Sequence, residues 1–403
     1  MKKVLFISGS VGLGHVSRDL AIARELRALE PEIEVSWLAS GSARDVIRNA
    51  GEPLLPEAAE WADENDPMEA VAKIGFHTNV ISYVLKSKKD WSQNVDVFKR
   101  VTARVPFDLV VGDETYEVTV ALKEDPGLKK FRCAFIYDFI GLDSMSANPV
   151  EKLGVYVWNR IWAKGYKNPA GFVDATLFVG EPEDIPDRKL GLFLPTRREW
   201  ARCRGVKYLG YVFPFDPAAH ADKAKVRADL GYGPGPLVVC AIGGTSIGKE
   251  LLELCGQAYP IAGRAVPDLR MVLVCGPRLS PSSLSVPDGV EVVGYVPKLY
   301  EHLAACDLAI VQGGGTTTLE LTALRRPFIF FPLEGHCEQQ IVVAGRLARH
   351  GAGVKAMYSA TTPESLAALI EANVGKEAGW PAIPADGART AARILSDLLA
   401  ARV

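Results

Sequence analysis

The chain contains the same opening unit twice, and this repetition constrains its fold more than any other feature. A β-rich run, Lys3–Ser8, ends in the glycine loop Gly9–His15, and the helix-favouring segment Ser17–Leu29 follows. A second β-rich run, Pro236–Ile242, ends in another glycine loop and is followed by Leu251–Tyr259. A strand, a glycine turn and a helix in this order open a doubly wound α/β domain. The sequence therefore predicts an α/β protein with two Rossmann-like, doubly wound domains.

Length and turn-forming segments place the domain boundaries. A chain of 403 residues is too long for one ordinary core. The segment Gly210–Asp222 is rich in proline and lacks periodicity, which indicates an interdomain linker. A final helix is expected from about Ala388 to Ala401. We predict an N-terminal domain at 1–212, a C-terminal domain at 213–385 and a closing helix at 386–403 that crosses back to the first domain.

Composition excludes several classes of protein. A formal net charge of −2 argues against nucleic acid as the main partner. The seven cysteines are scattered and form no Cys-x-x-Cys pair, so neither a disulfide framework nor a zinc site is indicated. No apolar run approaches the roughly 20 residues that span a bilayer. These features predict a cytoplasmic protein.

The segment 306–340 carries the strongest functional signal. An apolar strand, Leu308–Val311, runs into three glycines, and threonines follow at the start of a helix. This geometry aims backbone N–H groups and the positive end of a helix dipole at one point, which suits a phosphate. Any parallel sheet needs glycines at such turns, but the polar residues nearby favour a nucleotide-diphosphate site. Its residues are Gly314, Gly315, Thr316, Thr317, Glu320, Gln339 and Gln340.

This segment resembles the nucleotide-sugar box of GT-B glycosyltransferases, both the plant-type UDP-glycosyltransferases and MurG with its glycolipid-synthase relatives. The resemblance implies that Thr317 contacts the diphosphate and that Glu320 binds the ribose hydroxyls. It assigns the sugar hydroxyls to Gln339 and Gln340. The chain departs from the pattern at Gln312, where the plant-type box has a histidine. The implied fold is GT-B, with two Rossmann-like domains facing a central cleft.

Two further segments of the second half match the donor-binding parts of these families. The loop Gly243–Gly248 would offer N–H groups and hydroxyls to the diphosphate through Gly243, Gly244, Thr245 and Ser246; alternatively, Thr245 or Ser246 simply caps the next helix. Tyr295 and Val296 occupy the slot where plant-type relatives stack and bind the uracil. Packing of Tyr295 in the core is the alternative.

The first glycine loop resembles the N-terminal loop of MurG and its relatives, which also closes with Gly-His. The resemblance places Gly12 and Gly14 at the cleft that holds acceptor and donor phosphate; a purely structural turn is the alternative. His15 is the candidate general base, because an imidazole titrates near neutral pH and this one follows a loop that can approach a ligand closely.

Acidic residues follow two strands of the first half. Asp113 and Glu114 lie at the carboxyl end of the Leu109–Val111 strand, and Asp138 follows Ala134–Tyr137. Asp113 is the reserve base or the residue that orients His15, and Glu114 would contact the acceptor. Asp113 could equally cap the next helix. No Asp-x-Asp motif occurs, so we expect no metal and no cofactor other than the UDP-sugar co-substrate.

Three stretches remain without a firm role. Ile81–Trp91 and Tyr156–Lys167 combine aromatic and basic residues, which suits a membrane interface, although a core helix with lysines on its wet face is favoured. The acidic run Asp63–Asp66 is expected to be a solvated loop.

The favoured function is a metal-independent inverting glycosyltransferase that moves a sugar from a UDP-sugar to a small-molecule or lipid-linked acceptor. Peripheral contact with the inner face of a membrane would accompany a lipid-linked acceptor. A UDP-N-acetylglucosamine 2-epimerase or nucleotide-sugar hydrolase of the same fold is the second candidate. A non-catalytic nucleotide-sugar binder is the third.

Overall fold

The structure, a computed structural model, describes residues 1–9, 12–72, 80–167 and 172–401. Contacts divide the chain into two units. The first comprises Met1–Met68, Val80–Pro214 and Pro384–Val403, and the second comprises Glu69–Asn79 and Phe215–Ile383.

The first unit is built on a parallel sheet of six strands in the order β2-β1-β3-β4-β5-β6. These strands are β1 (Lys3–Ile7), β2 (Glu34–Leu38), β3 (Leu109–Asp113), β4 (Arg132–Tyr137), β5 (Ala175–Phe178) and β6 (Lys207–Tyr208). The helices up to Pro214 are α1 (Gly14–Leu29), α2 (Gly41–Asn49), α3 (Asn65–Val71), α4 (Val80–Arg104), α5 (Tyr116–Glu124), α6 (Pro149–Ala163) and α7 (Arg197–Cys203).

The second unit has its own parallel sheet of six strands, in the order β12-β11-β10-β7-β8-β9. These strands are β7 (Leu237–Ala241), β8 (Arg270–Val274), β9 (Glu291–Val293), β10 (Leu308–Gln312), β11 (Phe328–Phe331) and β12 (Val354–Lys355). Its helices are α8 (Lys223–Asp229), α9 (Lys249–Ala265), α10 (Leu299–Ala305), α11 (Gly315–Leu324), α12 (Ala344–His350) and α13 (Pro363–Asn373), with a π-helix at Glu338–Val343. Helix α14 (Gly387–Ala400) belongs to the first unit.

Helices cover both faces of each sheet, which explains why the central strands are apolar throughout. The side chains of Val4, Leu5, Phe6 and Ile7 in β1 are all buried, on alternate faces. Helix α14 packs on the same core as α1, and its residues Ala391 and Leu395 are fully buried there. The prediction of two doubly wound α/β domains is confirmed.

Each sheet has one point where the strand order reverses. In the first sheet the neighbours β1 and β3 flank this point, and in the second sheet β7 and β10 do so. Ligands of open α/β sheets bind beyond the carboxyl ends of the strands at such points. The loops that follow these four strands are therefore where a site is expected.

Element bounds differ from the sequence predictions in a few places. Helix α9 was predicted to end at Tyr259, before a proline, but it continues through Pro260 to Ala265. The acidic run Asp63–Asp66 is not a solvated loop, because Glu64 and Asn65 are buried and Asn65 begins α3. Among the described residues, no helix combines the length and apolar character that crossing a bilayer requires.

Candidate functional site

The loop after β1 brings His15 to the carboxyl edge of the first sheet. His15 is the second residue of α1, and the loop packs closely on the end of β3. A Cβ atom on Gly9 would lie 2.9 Å from the carbonyl oxygen of Asp113 and 3.3 Å from the His15 ring. Glycine is therefore required at this close approach. Ser10 and Val11 of the predicted loop lie outside the described residues.

The two other glycines of this loop have different surroundings. Gly12 has a φ of 77°, and its N–H donates a hydrogen bond to Oδ1 of Asn65 at 2.9 Å. Its N–H is thus engaged within the protein. Gly14 is the first residue of α1, so its N–H is one of the helix-terminal donors without an intrahelical partner.

Three charged side chains meet beside His15. Arg18, one turn further along α1, donates from Nη1 to Oδ2 of Asp138 at 3.0 Å and forms a bidentate pair with Asp113. The Nδ1 atom of His15 lies 3.2 Å from Oδ1 of Asp113 and 2.8 Å from Nη2 of Arg18. The N-cap of α5 is Thr115, so Asp113 does not cap that helix. Arg18 was not predicted from the sequence.

Arg18 keeps the two aspartates ionised. Burial opposes ionisation of Asp113, but attraction to Arg18 and then to His15 outweighs it and lowers the pKa of the carboxyl. The pKa of Asp138 is lowered in the same way, against its burial. The Arg18 guanidinium is buried as well, yet its pKa is raised because both carboxylates stabilise the cation. The result is a fixed negative charge beside the imidazole.

Burial raises the pKa of three other acids nearby. Burial and repulsion from Asp138 raise the pKa of Glu114, which has a strained φ of 52° and accepts a hydrogen bond from the Asp138 N–H. Burial and the neighbouring Glu117 raise the pKa of Glu64 to about 8. Burial raises the pKa of Glu117 itself to about 7. These acids were not recognised as a group because they are distant in sequence.

In the second unit, the loop after β7 already binds a carboxylate. The N–H of Ser246 donates to Oε1 of Glu69 at 2.8 Å. Arg278, in the loop after β8, donates to the same carboxylate from Nε at 2.7 Å and from Nη2 at 3.0 Å. A carboxylate shares its charge and acceptor oxygens with a phosphate, so this corner can bind an anion. Arg278 was not predicted, since it lies outside every glycine loop.

The same loop leads into α9 without a side-chain cap. Gly243 has a φ of 85°, and Gly248, with a φ of 113°, is the N-cap of the helix. Thr245 and Ser246 therefore do not cap α9, which removes the alternative role for these two hydroxyls. Gly244 lies between Gly243 and Thr245 in this turn.

The loop after β10 forms the second half of the site in this unit. A Cβ atom on Gly313 would lie 2.6 Å from Cα of Pro332, so the loop requires glycine there. Gly314 is the N-cap of α11, and no side chain caps the helix. Its first turn contains Gly315, Thr316 and Thr317, whose backbone N–H groups have no intrahelical acceptor. This is the arrangement that the sequence predicted.

Glu320, on the next turn of α11, is buried and isolated. Its exposure is 7%, and no described residue donates a hydrogen bond to its carboxyl group. Burial raises its pKa to about 8. A buried carboxyl without a donor is costly. Hydroxyl groups of a ligand would supply the missing donors.

Gln339 and Gln340 differ in which of their side-chain amide groups already have hydrogen-bond partners. Both lie on the π-helix, a type of segment that is frequent at functional sites. Gln340 is occupied, since its Nε2 donates to the carbonyl of Pro332 at 3.0 Å and its Oε1 accepts from Lys355 at 2.9 Å. Gln339 accepts from the Leu333 N–H at 2.8 Å, which leaves its Nε2 donor without a partner among the described residues.

Tyr295 lies just after β9 and is not part of the core. Its exposure is 43%, so the alternative of a packed core aromatic is wrong. Val296 next to it is half-buried. An exposed ring with adjacent backbone groups can receive a planar base.

Within the described part of the chain, no group of three or more histidine, cysteine, aspartate or glutamate side chains could hold a metal ion. In the second unit, backbone N–H groups, hydroxyls and Arg278 are the groups available to an anion.

Residues 238–382 match the glycosyltransferase family 28 C-terminal domain. This range contains both glycine loops of the second unit, together with Tyr295, Glu320 and the two glutamines. The match therefore covers every residue predicted to bind the donor.

Similar proteins cover nearly the whole chain. A UDP-N-acetylglucosamine–N-acetylmuramyl-(pentapeptide) pyrophosphoryl-undecaprenol N-acetylglucosamine transferase from Carboxydothermus hydrogenoformans is 32% identical over 369 residues, which are 87% of this chain and 83% of the relative. A protein described as an uncharacterized glycosyltransferase, from Methanosarcina acetivorans, is 27% identical over 94% of this chain and 91% of its own. The crystal structure of MurG from Acinetobacter baumannii superposes with a TM-score of 0.51 at 16% identity, covering 99% of each chain. This last likeness shows the shared GT-B fold.

Proposed function

Because the chain belongs to the glycosyltransferases of family 28, we propose that it is a metal-independent inverting enzyme that uses a UDP-sugar donor. Family membership supports sugar transfer over epimerisation, hydrolysis or binding alone. The name of the Carboxydothermus relative includes a UDP-linked sugar, which supports the choice of nucleotide.

The isolated carboxyl of Glu320 carries the proposal for the donor. A ribose presents two adjacent hydroxyl groups, and an ionised carboxylate can accept from both. In this proposal the diphosphate binds the N–H groups at the start of α11 and those of the loop Gly243–Gly248. Tyr295 stacks on the uracil. Gln339 donates its free Nε2 to a sugar hydroxyl, while Gln340 holds the loop in place.

The proposed chemistry is a direct displacement at the anomeric carbon. His15 takes the proton from the acceptor hydroxyl as that oxygen forms the new bond to the sugar. The bond from the anomeric carbon to the diphosphate breaks on the opposite face, and its electron pair leaves with UDP. The N–H groups at the start of α11 that lack an intrahelical acceptor, together with Arg278, stabilise the charge that develops on the leaving diphosphate.

The charged cluster fits His15 for this role. Asp113 receives two N–H groups from Arg18, and its Oδ1 also lies 3.2 Å from Nδ1 of His15. A carboxylate at Nδ1 favours the tautomer with hydrogen there, which leaves a lone pair on Nε2. Nε2 is then the base. Asp113 and Arg18 act as positioning residues.

The acceptor is proposed to be a hydroxyl of a lipid-linked or small molecule, and α6 supports membrane contact for the former. Trp162 packs against the core of the first unit, whereas Trp158 is half-buried and contacts Trp91. The outward face instead exposes four apolar side chains at helical spacing, with exposed cations beside them. The four are Val150 at 69%, Leu153 at 63%, Val157 at 49% and Ile161 at 46% exposure. The Ile81–Leu85 side chains of the other stretch lie outside those described.

The test of the donor assignment is a thermal-shift panel of UDP, dTDP, GDP and their sugars. A ligand that binds the folded state raises its stability by RT ln(1 + [L]/Kd). UDP and a UDP-sugar are expected to raise the melting temperature most. A larger shift with GDP or dTDP would contradict the choice of uridine.

A further inference from the structure

An aromatic cavity lies between α5, α6 and α7 of the first unit, apart from the residues proposed to bind the donor and from the His15 cluster. Its space, including the opening, is about 690 Å³. The walls are formed mainly by the rings of Tyr116, Trp158, Trp162, Phe172 and Trp200. Much of this space is open to solvent, so a ligand could enter without movement of the backbone.

The aromatic walls support one another. The Trp162 ring centroid lies 5.5 Å from that of Tyr116 and 6.1 Å from that of Trp200. Trp158 is held from behind by Trp91, at 5.5 Å. Because these contacts fix the rings, the cavity is preformed and suits a flat or slender apolar body.

Three cations line the same cavity. Lys123 donates from Nζ to the carbonyl oxygens of Ile161 at 3.2 Å and Lys164 at 3.0 Å. Arg204 lies 5.2 Å from the centroid of the Phe172 ring. Its Nε is buried and has no hydrogen-bond partner among the described residues. Lys164 is the third cation.

The positive charge of the cavity is not neutralised. Among the described residues, no carboxylate lies within ion-pair distance of Lys123 or Arg204. Burial lowers the pKa of Lys123, and repulsion from Arg204 and Lys164 lowers it further. Burial also lowers the pKa of Arg204. Uncompensated cations in an apolar wall cost stability, so they call for an anion from outside the chain.

Structural roles for Lys123 and Arg204 explain only some of their contacts. Lys123 satisfies carbonyl groups at the C-terminal end of α6, where a cation is favourable. Arg204 gains attraction from the Phe172 ring. Neither role uses the buried Nε of Arg204 or requires an open cavity between the two cations.

We propose that this cavity binds an anionic amphiphile, with its apolar body between the tryptophans and its phosphate or carboxylate against Arg204 and Lys123. The ligand is distinct from the nucleotide sugar, and the site is distinct from the His15 cluster. The inference does not rest on the proposed function, since binding is measured without donor or turnover.

The test is a titration of the full chain by tryptophan fluorescence, because three of the wall residues are indoles. The probes are decyl phosphate below its micelle concentration, as a lipid-type anion, and 1-naphthoate, as a small aromatic acid. Decanol is the uncharged control. Saturable quenching by either anion supports the proposal, and which anion binds more tightly identifies the source. Absence of binding by both would overturn it.

Charge variants separate the proposed site from general apolar binding. Arg204→Gln and Lys123→Gln are each expected to weaken binding of the preferred anion at least tenfold and to leave decanol unaffected. Lys152→Gln, an exposed cation of α6 outside the cavity, is the matched control and should bind like wild type. Equal affinity of wild type and both charge variants, or of decanol and decyl phosphate, would overturn the proposal.

A variant that fills the cavity tests the proposal even if the charge variants do not fold. Val120→Phe adds a ring to the cavity wall and keeps all three cations. It should abolish quenching while its melting temperature stays close to that of wild type. Retained binding by this folded variant would place the ligand elsewhere and contradict the proposal.

Discussion

Nδ1 of His15 lies 3.2 Å from Oδ1 of Asp113, whose carboxylate is held ionised by a bidentate contact with Arg18. We propose that this contact, and not the 2.8 Å approach of Nη2 of Arg18 to the same atom, sets which nitrogen of the imidazole carries the proton. With hydrogen on Nδ1, the Nε2 lone pair is available to a ligand. The alternative partner of Nδ1 is Nη2 of Arg18, which would reverse the tautomer.

Replacing His15 tests the base directly. His15→Ala should lower kcat by about 10²–10⁴, because no other group takes the acceptor proton, and should leave UDP affinity unchanged. The measurement is UDP release from UDP-N-acetylglucosamine with the best acceptor of a panel of prenyl-linked sugars and small alcohols.

Two companion variants complete the His15 experiment. Asp113→Asn should also lower kcat, because an amide no longer favours hydrogen on Nδ1. His350→Ala, at the end of α12, is the matched control and should behave like wild type. A loss under tenfold in His15→Ala would move the role of base to Asp113 or Glu114.

Arg278 is expected to contact the donor diphosphate. In the free protein its guanidinium and the Ser246 N–H both hold the Glu69 carboxylate. Arg278→Ala should weaken UDP binding by about 1–3 kcal/mol while uridine binding changes little, because only UDP carries the anion. Calorimetric titration of both ligands checks this. An equal loss for UDP and uridine would show a general structural effect.

Chelation should leave activity intact. The proposed diphosphate contacts are helix N–H groups, hydroxyls and Arg278, so no divalent ion is required to hold the charge. The measurement is initial rate with EDTA and after readdition of Mg²⁺ or Mn²⁺. Complete loss of turnover that either metal restores would refute this account.

The outer face of α6 is expected to bind membranes. The double variant Leu153→Gln, Val157→Gln removes apolar area from the exposed stripe and should reduce sedimentation with anionic phosphatidylglycerol vesicles several-fold. Leu29→Gln, an exposed leucine of α1, is the matched control. Equal sedimentation of the double variant and wild type would mean that this face is not the contact.

The sequence predicted those parts of the fold and site that depend on local patterns. The two strand–glycine–helix units follow from short-range spacing, and so does the placement of Glu320 one turn into the helix after the second-unit glycines. The structure contains both as predicted. Arg18 escaped notice because its partners, Asp113 and Asp138, lie about 100 residues away and meet it only when β1, β3 and β4 align.

Local sequence patterns also did not predict whether individual side chains are buried or exposed. Glu64 stands in an acidic run that is typical of a solvated loop, yet it is buried beside Glu117 and Trp91. Tyr295 shows the reverse case: an aromatic residue at a strand end could have been packed in the core, but its side chain is exposed. Only tertiary packing decides between these outcomes.

The state of Glu320 gives the UDP affinity a defined pH dependence. Its pKa in the free protein is raised by burial to about 8, so the carboxyl is mostly protonated at pH 7. Accepting from both ribose hydroxyls requires the ionised form. UDP binding should therefore release a proton, and its affinity should rise with pH up to about 8 and then level off.

The most direct measurement compares UDP with 2′-deoxy-UDP by calorimetry, on wild type and Glu320→Ala, with Glu371→Gln on α13 as the matched control. Wild type and the control should prefer UDP, because the 2′-hydroxyl donates to Glu320. Glu320→Ala should bind UDP more weakly, by about 1–3 kcal/mol, and should no longer distinguish the two nucleotides. If Glu320→Ala keeps the wild-type preference for UDP, the ribose is bound elsewhere and the proposed donor site is wrong.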